Sequence, residues 1–373
     1  MHWGTIKIGT LLGFPIRIAW SWLPVFGLVL FMFGEQLYPR ECPEAGRGTI
    51  WAMAAATTVV YFLSLLAHEL GHAVAARSRG IHVRSVELHL FGGVAHLVGY
   101  SRRPEDEFVI AAAGPAVTLA LTAIFGVLAV VVGAALPEAK ALAYVAICSC
   151  IFNAGLLIFN LLPGYPLDGG RLAQSVLWQL TGRRSLAAGI VTAIGYALAA
   201  ALVALGVYEL VARPVHWSPA SGFLSIMLAA FLAWTARGNY RAAQMLERVG
   251  LLVAGQALDE RVRTLPATMV VAQVRETAFA DEDVPVAIVL DGDGRATGAV
   301  TNDGTAWPAT SATVGDVAQP VGETLRVPQA APLLDVLFHL ASASAAWLVV
   351  ENEAGRYVGT LTQASLREAF ERR

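Results

Sequence analysis

Six stretches of this chain, near residues 18–34, 50–76, 107–135, 141–162, 186–211 and 220–236, are apolar enough to cross a lipid bilayer. A helix needs about 20 mostly apolar residues for that crossing, and lipid offers no partner for an unpaired backbone N–H or C=O, so such stretches must be helical. The composition agrees: 56% of the 373 residues are hydrophobic, 14% are charged and the mean hydropathy is +0.58. These values argue against a wholly soluble globular chain. A formal net charge of −2 with no long basic tract also argues against nucleic acid as a partner. The three cysteines, Cys42, Cys148 and Cys150, form no C-x-x-C motif and read as packing residues.

Lys and Arg in short loops favour the cytoplasmic side. With the N-terminus inside, the inner segments carry thirteen of them between Lys7 and Arg248, and the outer segments only Arg40, Arg47, Lys140 and Arg213. An even number of spans then puts both termini in the cytoplasm. Lysine occurs only at 7 and 140, an arginine bias associated with GC-rich bacterial genomes, so a bacterial cell membrane is expected.

Two β-hairpins are expected beside the spans. One is the alternating stretch before the first span, around Gly9, Gly13 and Pro15. The other runs from Val83 to Tyr100, with Phe91-Gly92-Gly93 at its centre. Beyond residue 250 the sequence turns polar and Val-rich, with Asp-Gly turns, which reads as a soluble α/β domain. Its Gly-x-apolar-Thr endings at Gly298–Thr301 and Gly359–Thr362 start 61 residues apart and mark two copies of one unit. The expected organisation is a six-helix membrane domain over 1–245 and a cytoplasmic tandem domain over 250–373.

The chemistry concentrates in His68-Glu69-Leu70-Gly71-His72, inside the second span. Residues i and i+4 share a helix face, so both imidazoles reach one metal ion, and Glu69, about 100° round, faces the place of an attacking water. Three ionisable groups at membrane depth are costly and point to function. Zinc suits two His nitrogens and one carboxylate. The helix-breaking segment Asn160-Leu-Leu-Pro163-Gly164-Tyr-Pro166-Leu-Asp168-Gly169-Gly170-Arg171 ends at the same membrane face and offers Asp168, either as the third ligand or as the cap of a following helix.

HExxH followed by N-x-x-P-x-x-x-L-D-G, with Gly114-Pro115 between, resembles the site-2 protease family of intramembrane zinc metalloproteases over about residues 1–240. The resemblance implies one zinc held by His68, His72 and Asp168, with Glu69 as general base and Asn160 binding substrate or the oxyanion. It also implies a single-span membrane protein as substrate, such as an anti-sigma factor. Asn153 reads as a helper of Asn160 or as an interhelical hydrogen-bonding group. Gly92 and Gly93 permit close approach of an extended substrate to the hairpin edge. The C-terminal repeat resembles a pair of CBS modules, which implies a homodimer and adenine-nucleotide binding. Against the nucleotide, Gly304 and Ser365 stand where the CBS pattern carries an acidic residue. A zinc transporter or sensor, which would not need Glu69, and a non-catalytic membrane scaffold are the alternatives.

Overall fold

The computed structural model of the protein describes all residues except 1–3, 90–91, 137, 213–218, 251, 280–285, 303–311, 344 and 372–373. Two compact units divide the chain, Met1–Gln244 and Met245–Arg373.

The first unit opens with the hairpin β1 (Thr5–Leu11) and β2 (Phe14–Ala19), followed by α1 (Trp22–Phe31) and α2 (Tyr38–Glu41), joined through a π-helical turn at Met32–Leu37. The long helix α3 (Arg47–Ser78) leads into β3 (His82–His89) and β4 (Gly92–Val98). Helices α4 (Pro104–Ala135), α5 (Lys140–Asn160), α6 (Asp168–Thr181) and α7 (Arg184–Ala212) follow, and α8 (Pro219–Gly250) ends the first unit, its last residues from Met245 belonging to the second. Among the described residues five helices are long and apolar enough to cross a membrane: α3, α4, α5, α7 and Ser221–Gly250 of α8. The expected first span differs. Residues up to Ala19 belong to the sheet, and the helix that follows widens into a π turn at Gly34, where the Trp51 ring occupies the place a Cβ would need.

These helices are sided as lipid demands. On α4, Leu119, Ile124, Val127 and Val130 are exposed, whereas the buried face of α3 carries Thr57, Thr58, Ser64, His68, Glu69 and His72. Water would not leave the large aliphatic groups outside and gather the polar ones within; a hydrocarbon solvent does.

Both expected hairpins are present, and they join. β2 pairs parallel with β3, giving one four-stranded sheet in the order β1-β2-β3-β4. Its inner face presents Ile16, Val83 and Val86 to Leu70, Ala73 and Ala76 of α3, so the sheet is packed across the helix that carries the HExxH motif.

In the second unit, β5 (Thr264–Pro266), α9 (Val274–Ala278), β6 (Val286–Leu290), β7 (Ala296–Thr301), α10 (Val314–Val317) and β8 (Gln319–Pro320) form the first half. β9 (Arg326–Pro328), α11 (Leu333–Ala343), β10 (Trp347–Glu351), β11 (Tyr357–Thr362) and α12 (Gln363–Glu371) form the second. Each half has a short strand parallel to the first strand of a hairpin, β5 against β6 and β9 against β10, as a repeat requires. Ser365 is engaged locally: its hydroxyl accepts from the Thr362 amide at 3.1 Å, and its own amide donates to Thr362 Oγ1 at 3.1 Å. This reciprocal cap starts α12. Asp303 and Gly304 lie outside the described residues.

Candidate metal centre

His68 and His72 lie one turn apart on the buried face of α3, ten residues or less from its end at Ser78, which is about 15 Å of helix at most. Asp168 reaches them from a different element. After α5 ends at Asn160, Pro163 and Pro166 prevent a continuous helix, and the chain turns back through Leu161–Leu167 into α6. Asp168 is the first residue of α6, and no side-chain bond caps that helix. Its carboxylate turns instead to the two histidines. Gly169 and Gly170 let this first turn lie against the bend, since a Cβ on either would meet backbone atoms of Leu161 or Gly164 at 2.2–2.6 Å.

Asp168 Oδ2 is 3.0 Å from His68 Nε2 and 3.2 Å from His72 Nε2, and the two nitrogens are 3.2 Å apart. A tetrahedral ion bound at about 2.0–2.1 Å needs ligand atoms about 3.3–3.4 Å from one another. The triangle therefore fits zinc with a shift of a few tenths of an ångström, and a fourth position remains for chemistry. His68, His72 and Asp168 are 2%, 5% and 8% exposed, so water does not compete for them in number. Among the described residues this is the one group of three His, Cys, Asp or Glu side chains arranged to hold a metal.

The ring orientations are set from α4. His72 Nδ1 is 2.7 Å from the carbonyl oxygen of Ile110, an atom that can only accept, so Nδ1 carries the proton and Nε2 is left bare for the metal. Gly114, one turn further, brings the α4 backbone directly beside both rings. α4 is tied to α6 by an ion pair in which Arg171 Nε donates to Glu107 Oε1 at 2.9 Å, with Glu107 buried. Breaking a fully buried pair costs about 3–5 kcal/mol; Ser101 and Arg184 also face Glu107, which keeps the cost here below that range. The pair holds α6, and with it Asp168, against the helix that orients the histidines.

Glu69 is 8% exposed and lies beneath β4. The backbone amide of Ala95 faces its carboxylate. Gly93 has no side chain because Glu69 takes that space: a Cβ there would be 2.3 Å from Glu69 Cγ and 2.9 Å from Oε1. Gly92 is a glycine for another reason, a φ of +123° at the turn of the hairpin. Gly93→Ala is expected to push Glu69 off its position, lowering cleavage by at least about tenfold with zinc content unchanged. Zinc per chain measured beside the cleavage rate checks it.

Asn153 is buried, and its Nδ2 donates to Ser64 Oγ at 3.2 Å and to the Ser149 carbonyl at 2.8 Å. It links α5 to α3 and does not reach the metal ligands. Asn160, half-buried at the end of α5, makes no side-chain hydrogen bond among the described residues. His89 and His96 stand on the outer face of the hairpin, where His96 Nε2 is 3.2 Å from Glu87 Oε2, apart from the centre. Sequence reasoning missed Thr118, Ile110 and the Glu107–Arg171 pair. A signal existed for the first and last, since Thr118 and Glu107 are polar residues on a helix otherwise rich in Ala, Val and Leu.

A family model described as Peptidase family M50 matches residues 56–146 and 122–202. The chain is 33% identical over 370 residues to the "Putative zinc metalloprotease Rip3" of Mycobacterium tuberculosis, spanning 97% of this chain and 91% of that one. It is 31% identical over 377 residues to the "Putative zinc metalloprotease sll0528" of Synechocystis sp., spanning 97% and 94%. The structure of a site-2 protease from Methanocaldococcus jannaschii superposes on 64% of this chain and 96% of that one, with a TM-score of 0.41 and 21% identity. With its five apolar helices the protein is a multi-pass membrane protein. Likeness at this level along nearly the whole length, on a chain whose HExxH histidines and distant Asp168 meet at one point, makes it a member of peptidase family M50.

Proposed function

We propose that the protein is a zinc-dependent intramembrane endopeptidase that cleaves the membrane segment of a single-span protein, such as an anti-sigma factor. The observation that carries this reading is the position of Glu69 beside a buried His68-His72-Asp168 triangle with sides of 3.0–3.2 Å, inside apolar helices. Zinc bound by those three residues supplies a Lewis acid that polarises the scissile carbonyl and lowers the pKa of a water to about 7. Glu69 accepts the proton of the attacking water and returns it to the leaving amine nitrogen as the C–N bond breaks. Asn160 is assigned to hold the substrate or the developing oxyanion.

A substrate helix satisfies its own backbone and hides its peptide bonds, so it must be unwound before attack. Strand β4 supports a way to hold the unwound segment. It is the last strand of its sheet and lies over Glu69 at Gly93 and Ala95, so an extended segment paired to the edge that no strand among the described residues covers would run past the general base.

The Arg and Lys asymmetry supports both termini in the cytoplasm of a bacterial cell. Six crossings follow if the helical run Trp22–Glu41, 20 residues and about 30 Å long, is counted as the first. The repeated α/β unit reads as a CBS-like pair through which two chains associate. The Ser365 and Thr362 hydroxyls are already bonded within the protein, which weighs against an adenine nucleotide in that half.

The test is removal and return of the metal in detergent-purified protein. Stripping zinc with a strong chelator is expected to abolish cleavage of a single-span model peptide, and one equivalent of zinc to restore it. Cleavage that persists without metal would end the proposal.

A further inference from the structure

Along α4, Ile110, Gly114 and Thr118 succeed one another one turn apart, all buried and all against the metal centre. Thr118 is 0% exposed, and its Oγ1 lies 2.8 Å from Nδ1 of His68. A hydroxyl and an imidazole nitrogen can bond in either direction, and here the directions have opposite results. If Thr118 donated, the proton of neutral His68 would sit on Nε2, the nitrogen that points at Asp168 and His72. If Thr118 accepts, the proton sits on Nδ1 and Nε2 is bare.

The second bond of Thr118 decides between them. Its Oγ1 is 3.2 Å from the carbonyl oxygen of Gly114, which can only accept. The single hydroxyl proton goes there, and the oxygen is left to accept from Nδ1. We infer that Thr118 is the positioning residue for His68: by directing its proton to Gly114 it fixes the Nδ1–H tautomer and aims Nε2 at the metal. Its role parallels that of the Ile110 carbonyl for His72, so one face of α4 sets both rings.

This inference rests on the metal-centre reading, and its test reads the metal directly. Zinc affinity of the detergent-purified full-length protein is measured by competition with a chromophoric chelator, together with the visible spectrum of the cobalt-substituted protein. Thr118→Val keeps the side chain's shape and removes the acceptor, Thr118→Ala removes it without added bulk, and Thr118→Ser restores it. Thr122→Val is the control, since Thr122 lies one turn further along the same helix and its hydroxyl donates to the Thr118 carbonyl at 2.8 Å. Thr118→Val and Thr118→Ala are both expected to bind zinc about 10–100-fold more weakly than wild type, with a shifted cobalt band. Thr118→Ser and Thr122→Val are expected to stay close to wild type. Equal affinity in Thr118→Val and wild type overturns the inference, as does a Thr118→Ser or Thr122→Val protein as weak as Thr118→Val, which would mean that packing alone matters. A wild-type protein that binds no zinc overturns the metal-centre reading itself.

Discussion

Glu69→Gln is expected to leave one zinc bound and to lower the rate of peptide cleavage by roughly 10²–10⁴-fold, the usual contribution of a positioned general base. Glutamine has the same shape, so it fits under Gly93 and keeps an oxygen for the Ala95 amide. It cannot take a proton from water or hand one to the leaving amine. Glu69 is not among the three groups that form the ligand triangle, so the metal should stay. Zinc per chain and the initial rate on a single-span peptide are measured on the same preparation. A variant that holds zinc and works as well as wild type would move the protein to the transporter or sensor class, in which Glu69 has no chemical task. A variant that loses its zinc would place Glu69 in the coordination shell rather than beside it.

The second large effect is expected at a residue with no functional group. Gly114→Ala should reduce zinc content to near zero and abolish cleavage. The added Cβ would lie 2.2 Å from His72 Nε2, 2.6 Å from His72 Cε1 and 2.7 Å from His68 Nε2. The two Nε2 atoms are the ones that would hold the metal, and no real Cβ tolerates such contacts. The rings cannot simply swing away, because His72 is held by Ile110 and His68 by Thr118. The backbone of α4 cannot retreat without breaking the same bonds. Gly133→Ala on the same helix is the comparison: nothing lies within 4 Å of its Cβ, and a gain in helix propensity of up to about 1 kcal/mol is all that should follow. Metal analysis of the two purified variants separates a site-specific clash from a general effect of alanine in α4. Normal zinc in Gly114→Ala would mean that α4 does not approach the rings as described.

The sequence alone determined what is local or compositional. Apolar runs of about 20 residues force membrane helices, because backbone groups in lipid must bond within their own segment. The period of the helix puts His68 and His72 on one face without reference to any other part of the chain. Alternation and glycine placement marked both hairpins, and self-similarity marked the C-terminal repeat. Only the tertiary structure decided what depends on groups distant in sequence. Whether Asp168 caps α6 or faces the histidines turns on where the Leu161–Leu167 bend sets the first turn of a helix 96 residues beyond His72. Gly93 and Gly114 are required by side chains on α3, and a glycine's reason lies in what occupies the space a Cβ would fill. The parallel pairing of β2 with β3, which turns two hairpins into one sheet over Glu69, leaves no trace in either strand's pattern. The proton on His68 is likewise set from 50 residues away, by a threonine whose own helix supplies the second acceptor. Helices and turns are written in nearest-neighbour physics, but hydrogen bonds across helices and the clearances between them exist only once the helices have packed.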